Sequence, residues 1–249
     1  YLLRIFTPKA EIPFAGHPTV GTAHVLAAIG KIPLQREETR VIFEEGVGRV
    51  PVKIRAKEGK PFYTELTAAQ LPEFSSETPP LGDIASMLSL DISDLLDGEN
   101  KPQAVSCGLP FLFIPLRNRD ALRRAKLNRE LWQQLLQSSW APSVYIFCYD
   151  PELKGSDLRS RMFAPGLGVD EDPATGSAAT ALAGYLGIRH PQENGTLRWI
   201  VEQGFEMGRP SLLQVEADKE CGRIEEIRVG GSSVLVSEGT MEIPYPLSL

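Results

Sequence analysis

Short apolar or alternating runs of strand length recur along this chain. They stand at Leu2–Phe6, Val41–Phe43, Val47–Ile54 and Tyr63–Leu66, and again at Phe111–Leu116, Val144–Tyr149 and Leu158–Phe163. Four more follow at Leu197–Val201, Leu212–Val215, Ile224–Val229 and Val234–Val236. Helical spacing is confined to Ile84–Leu90, Ala121–Leu136 and two apolar stretches treated below. Gly46–Val50 reads as a hairpin turn, and the Pro- and Ser-rich Pro72–Asp83 as a linker. Many strands with few long helices predict an α+β fold rather than a doubly wound parallel sheet.

The two apolar stretches differ from the rest. Ile12 to Gly30 contains no Asp, Glu, Lys or Arg, and neither does Pro173 to Ile188. Each reads as a helix, with Pro18 or Pro173 at its first position and Gly30 or Gly187 at its end. A helix that is apolar all round is expected to be buried all round. Pro18 and Pro173 stand 155 positions apart, and so do Gly21 and Gly176. Upstream of each helix, Arg4–Pro8 (RIFTP) matches Arg161–Pro165 (RMFAP) at a spacing of 157. Two matched blocks in one order imply an internal duplication. The prediction is two pseudo-symmetric lobes, each a curved, mostly antiparallel sheet around a central helix. The first spans 1–75, with a C-terminal strand at about 235–249 returning to it, and the second spans 76–234.

Between the second strand-like block and its helix stand the consecutive acids Asp170, Glu171 and Asp172. Asp172 occupies the place of an N-cap, and Thr175, Gly176 and Ser177 occupy the first turn. His17, preceded by Gly16, takes the equivalent place before Pro18. Each feature alone has a structural explanation, a routine cap and a loop histidine. Set at matched places in a repeated frame, they predict two helix N-termini directed into one cleft. Such termini offer unpaired N–H groups and a positive dipole end, which suit a small carboxylate. A carboxyl group and an imidazole across an apolar cleft are able to exchange protons. His24, a turn further on, reads as a satisfied core histidine.

Composition narrows the classes. The net charge of −6 and the lack of a dense basic patch argue against nucleic acid. Three widely spaced cysteines, Cys107, Cys148 and Cys221, without a CxxC pair, argue against a disulfide framework or a zinc site and favour a cytoplasmic, reducing setting. No signal peptide or membrane-spanning run is read in the sequence. No metal-ligand spacing or phosphate loop appears, so no cofactor is expected.

RIFTPKAEIPFAGHPTVGTA, GVDEDPATGSAATALAGYL and QGFEMGRPS (Gln203–Ser211) together resemble the phenazine-biosynthesis PhzF-like family, relatives of diaminopimelate epimerase. The resemblance runs from residue 1 to the end. It implies two pseudo-symmetric lobes, usually in a homodimer, and cofactor-free isomerisation by proton shuttling on a small carboxylic acid. In the phenazine enzyme that acid is a dihydro-hydroxyanthranilic acid. By the same resemblance Asp172, His17 and Ser177 are catalytic, and Gly16, Thr175 and Gly176 hold the substrate. The family's principal acid/base is a glutamate in a Ser-Glu-(Thr/Ser)-x-Phe motif upstream of RIFTP, a place that precedes Tyr1. Ser75–Thr78 (SSET) follows the first lobe and is not its counterpart. Two other readings remain. One is a catalytically silent carboxylate-binding or interaction protein. The other is a racemase or epimerase working through two thiols, disfavoured because His17 and Asp172 stand where those thiols would be. Cys107 in SCGLPF is the nearest thiol candidate, although it leads into an apolar strand run; GRPS either brings Arg209 to a substrate carboxylate or is a turn before a strand, the two readings standing equal.

Overall fold

A computed structural model describes residues 1–240 and 242. A hairpin of β1 (Ile5–Phe6) and β2 (Glu11–Ile12) leads into helix α1 (Gly16–Ala28). The strands β3 (Glu38–Glu45), β4 (Gly48–Lys57) and β5 (Lys60–Thr67) follow, joined by tight turns; the first occupies Gly46 and Val47, the start of the turn read at Gly46–Val50, and Gly48–Val50 already belong to β4. Next come β6 (Glu73–Ser75), α2 (Leu81–Met87), β7 (Gln103–Ser106) and β8 (Pro110–Pro115). Then α3 (Arg119–Arg124), α4 (Arg129–Leu135), β9 (Ser143–Cys148), β10 (Leu158–Ala164) and β11 (Val169–Asp172) lead to α5 (Gly176–Arg189). The last strands are β12 (Gly195–Gln203), β13 (Ser211–Glu220) and β14 (Arg223–Gly231).

One sheet of 12 strands runs in the order β3-β4-β5-β14-β13-β12-β10-β9-β8-β7-β6, with β11 added to β10. Pairing is antiparallel except between β8 and β9 and between β10 and β12. The fold is α+β, as the run pattern predicts. The sheet curves around α5, which touches β7, β8, β12, β13 and β14.

Two-sided burial explains why β8 and β9 read as unbroken apolar runs. Phe111, Phe113, Tyr145 and Phe147 face the core around α5, while their neighbours Leu112, Ile114, Val144 and Ile146 face a second core under α2, α3 and α4. Small residues let α5 fit inside. A Cβ on Gly184 would lie 2.6 Å from the Pro72 ring, and one on Gly187 would lie 2.9 Å from Ile224.

Several expectations need correction. From Gly176 to Gly187 α5 is buried all round, but α1 is not: His17 and Ala28 are exposed, and Val20, Gly21, Thr22 and Val25 are half-buried. Only the side bearing Thr19, Ala23 and Ala27 is covered, by β4, β5 and β14. Gly30 follows α1 with φ +76°, the C-terminal role expected of it, whereas Gly187 lies inside α5. The single helix read at Ala121–Leu136 is two, because Asn128 caps a new helix by accepting from the N–H groups of Glu130 and Leu131. The linker Pro72–Asp83 contains β6 and the start of α2. Val234–Val236 forms no strand, and its three side chains are exposed. Of the C-terminal strand expected at 235–249, residues 235–240 are irregular, and 241 and 243–249 lie outside the described residues.

Candidate active site

The hairpin β10–β11 carries the three acids, and each has its own partner. Asp170 pairs with Arg129 across the surface. Glu171 receives Nε and an Nη of Arg161 at 2.8 and 2.9 Å. Arg161 is itself buried and also donates to the Leu122 and Ala125 carbonyls, so the hairpin is tied to α3. Asp172 alone has no arginine within ion-pair distance. Its Oδ2 accepts from the Thr175 hydroxyl at 2.6 Å and lies 3.9 Å from His17 Nδ1.

The helices begin elsewhere than Pro18 and Pro173 imply. Gly16 is the first residue of α1 and Gly176 the first of α5, placing Pro18 third in its helix and Pro173 before the other. Proline suits any position in the first turn, because those N–H groups have no intrahelical acceptor. The matched pairs are therefore Gly16 with Gly176 and His17 with Ser177, not His17 with Asp172. Nor is Asp172 a cap. Thr175 holds the capping position of α5 and Ala15 that of α1, and neither side chain caps its helix.

The two N-termini meet. A Cβ on Gly16 would lie 2.3 Å from Gly176 Cα, and one on Gly176 would lie 2.7 Å from Gly16 Cα. Only glycine permits this approach. Gly176→Ala is expected to force the helix ends apart and lower the stability to urea by about 1–3 kcal/mol, the usual cost of overpacking.

A cavity of about 210 Å³ opens at this meeting point. It is lined by Ile5, Phe6, Met162 and Phe111 on its apolar side and by Gly16, His17, Asp172, Thr175 and Ser177 on its polar side. A second hollow of about 360 Å³ adjoins Gly16, His17 and Gly176 beside β13 and β14. All six predicted site residues thus come together. Ser177 is buried, and its hydroxyl has no hydrogen-bond partner among the described residues. Thr175 differs from expectation, since its N–H donates to Gln203 Oε1 at 3.1 Å and its hydroxyl donates to Asp172. Neither donor is free for a ligand.

Burial raises the pKa of Asp172 above the usual aspartate value, while the Thr175 hydrogen bond and the positive charges of His17 and Arg209 pull it back. Arg209 acts on the site at a distance through that charge. His24 is in the core, as expected, but it is not satisfied: its Nδ1 lacks a partner among the described residues, and burial lowers its pKa. Burial pushes the Cys107 thiol up to about 12 and the Cys148 thiol up to about 11, so neither is a ready thiolate. Among the described residues no cluster is arranged to hold a metal ion, and no helix is long and apolar enough to cross a membrane.

The sequence pattern does not single out Gln203 as a site residue, although it opens the QGFEMGRPS motif. Its one signal is that place in the motif, because Arg198 and Glu202 make β12 mixed rather than apolar and leave Gln203 unremarkable in the local pattern.

The family model for phenazine biosynthesis-like proteins matches residues 1–239. An uncharacterised isomerase of Mesorhizobium japonicum is 37% identical over 247 residues, covering 97% of this chain and 80% of that protein. The trans-2,3-dihydro-3-hydroxyanthranilate isomerase of Pseudomonas chlororaphis is 33% identical over 245 residues, with 96% and 78% covered. Among solved structures, a phenazine biosynthesis protein of the PhzF family from Bacillus anthracis superposes with a TM-score of 0.85 at 25% identity, over 97% of this chain and 80% of that one. The family model spans nearly the whole chain and the fold agrees with it: the chain belongs to the phenazine biosynthesis-like protein family, an enzyme family whose named relatives are isomerases.

Proposed function

We propose that this isomerase moves a proton on a small carboxylic acid bound between the two helix N-termini, without a cofactor. The observation that carries the reading is Asp172, a half-desolvated carboxyl 3.9 Å from an imidazole, at a cavity floored by two uncapped helix starts. The N–H groups of Gly16, His17, Gly176 and Ser177 have no acceptor within their helices and suit a carboxylate. The Ser177 hydroxyl adds a neutral donor. Asp172 takes and returns the proton, with its raised pKa bringing it nearer the working pH. His17 assists by holding or relaying it. Where the upstream glutamate of the family motif precedes Tyr1, that glutamate is the principal base and Asp172 with His17 completes the transfer. The reading includes a homodimer as the working assembly.

Incubation in deuterium oxide tests it. With trans-2,3-dihydro-3-hydroxyanthranilate as first substrate, mass spectrometry is expected to show one carbon-bound deuterium in the product, with no added metal or nucleotide. Binding without exchange by a protein that includes the upstream glutamate would leave the alternative of a silent carboxylate-binding protein.

A further inference from the structure

The hydrogen bonds around Asp172 run in one direction only. Gln203, on the last residue of β12, is wholly buried, and every polar group of its side chain is occupied. Its Oε1 accepts from the Thr175 backbone N–H at 3.1 Å, and its Nε2 donates to the Asp172 backbone carbonyl at 2.7 Å. A backbone N–H is only a donor and a carbonyl only an acceptor, so the amide has one possible orientation. The second Nε2 proton then goes to Thr175 Oγ1, 2.8 Å away. A hydroxyl that receives this proton has its own proton left to give, and the acceptor in reach is Asp172 Oδ2 at 2.6 Å.

We infer that Gln203 and Thr175 are positioning residues that make Oδ2 of Asp172 a permanent acceptor and leave Oδ1 as the oxygen that exchanges a proton with the substrate, while His17 Nδ1 stands on the Oδ2 side at 3.9 Å. The Thr175 hydroxyl occupies one of the two lone pairs of Oδ2, which lowers the basicity of that oxygen relative to Oδ1. Oδ1 has no hydrogen-bond partner among the described residues, and the carboxyl as a whole lines the cavity. Tyr145 supports the chain from behind: its hydroxyl donates to Ser160 Oγ at 2.8 Å, which donates to the Glu202 carbonyl, and it also lies 3.4 Å from Gln203 Oε1, a second donor to the oxygen that accepts from Thr175 and one that favours the same amide orientation. The part that concerns the reaction rests on the proposed function, but the hydrogen-bond direction does not.

The test is the titration of Asp172 itself, followed by NMR of protein labelled at aspartate Cγ, with the resonance assigned by its loss in Asp172→Asn. Thr175→Val removes the donor and is expected to move the Asp172 titration to higher pH, and Thr175→Ser to restore it. Gln203→Met, which frees the Thr175 hydroxyl to turn, is expected to shift it in the same direction. His17, Arg209 and Tyr145, the other titratable or charged groups facing Asp172, are unchanged in all three variants. In the exchange reaction Thr175→Val is expected to lose about tenfold in kcat, the size of one hydrogen bond to a charged group, with its acid limb displaced as the titration is. A folded Thr175→Val that titrates like the wild type overturns the inference, even where exchange proceeds normally. A shifted titration in a protein that exchanges no deuterium upholds the inference and sinks the proposed function. Should Val not fold at this buried place, the wild type decides: the Thr175 hydroxyl proton must exchange slowly with water and couple to Asp172 Cγ, and a fast-exchanging hydroxyl overturns the inference.

Discussion

Asp172→Asn is expected to lower turnover about 10²–10⁴-fold, the span associated with removing a general acid–base group. The substitution is informative because so little else changes. The amide keeps an oxygen for the Thr175 hydroxyl, and the Gln203 contacts are to backbone and to Thr175. Thermal stability should hold or rise slightly, because a carboxylate that burial disfavours is replaced by a neutral group. Asp172→Ala should be as inactive but less stable, having left Thr175 without its acceptor. Deuterium exchange and urea denaturation on the three proteins separate the roles. Full activity in Asp172→Asn would make Asp172 a structural residue.

Glu45→Gln is expected to stabilise the protein in alkaline solution and to do nothing in acid. Glu45 ends β3 and is buried, with its Oε2 lacking a partner among the described residues, and burial raises its pKa from 4.5 to about 7. Its Oε1 lies 2.7 Å from Thr19 Oγ1, which also lies 2.8 Å from the Ala15 carbonyl. One hydroxyl proton cannot serve both oxygens. A protonated Glu45 resolves this by donating to Thr19, which then donates to Ala15. The unfolded chain releases the Glu45 proton near pH 4.5, while the folded chain keeps it to about pH 7. The contribution of the protonated group is therefore complete below pH 4.5 and lost as the pH rises to 7. With one pKa unit worth about 1.4 kcal/mol, the loss approaches ~3 kcal/mol. Urea unfolding at pH 4 and pH 8 measures it: equal stabilities for the two proteins in acid and a gain for Glu45→Gln in base are expected. Equal curves at both values would show that Glu45 ionises freely.

How far the sequence discloses this molecule depends on how local each cause is. The runs at β8 and β9 stand out because both of their faces are buried. β11 is invisible as a strand in the sequence, because its residues Asp170, Glu171 and Asp172 show no apolar side and are held by partners on α4, β10 and the turn before α5. The helices α1 and α5 were legible from their lack of charge, yet proline misplaced their starts and so shifted the repeat. Gly16 and Gly176 are the true markers, for a reason that exists only once the two helices touch. The same holds for burial. That α5 is enclosed and α1 half-open depends on which strands arrive around each, and their compositions do not differ enough to tell. Asp172 and His17 could be chosen from their neighbours in sequence. Gln203 acquires its role by joining β12 to the turn before α5, a link of 28 residues between Thr175 and Gln203.

The place of β14 has a consequence for how this protein is made. Lys60–Thr67 and Ser211–Glu220 are neighbours in the sheet only through Arg223–Gly231, which lies between them. On a ribosome adding about 5–20 residues per second, β5 therefore waits roughly ten to thirty seconds for its partner. Throughout that time its free edge is a template for any passing strand. The half of the sheet synthesised first cannot close by itself, and the nascent chain needs either shielding by a chaperone or rapid completion of its last long hairpin.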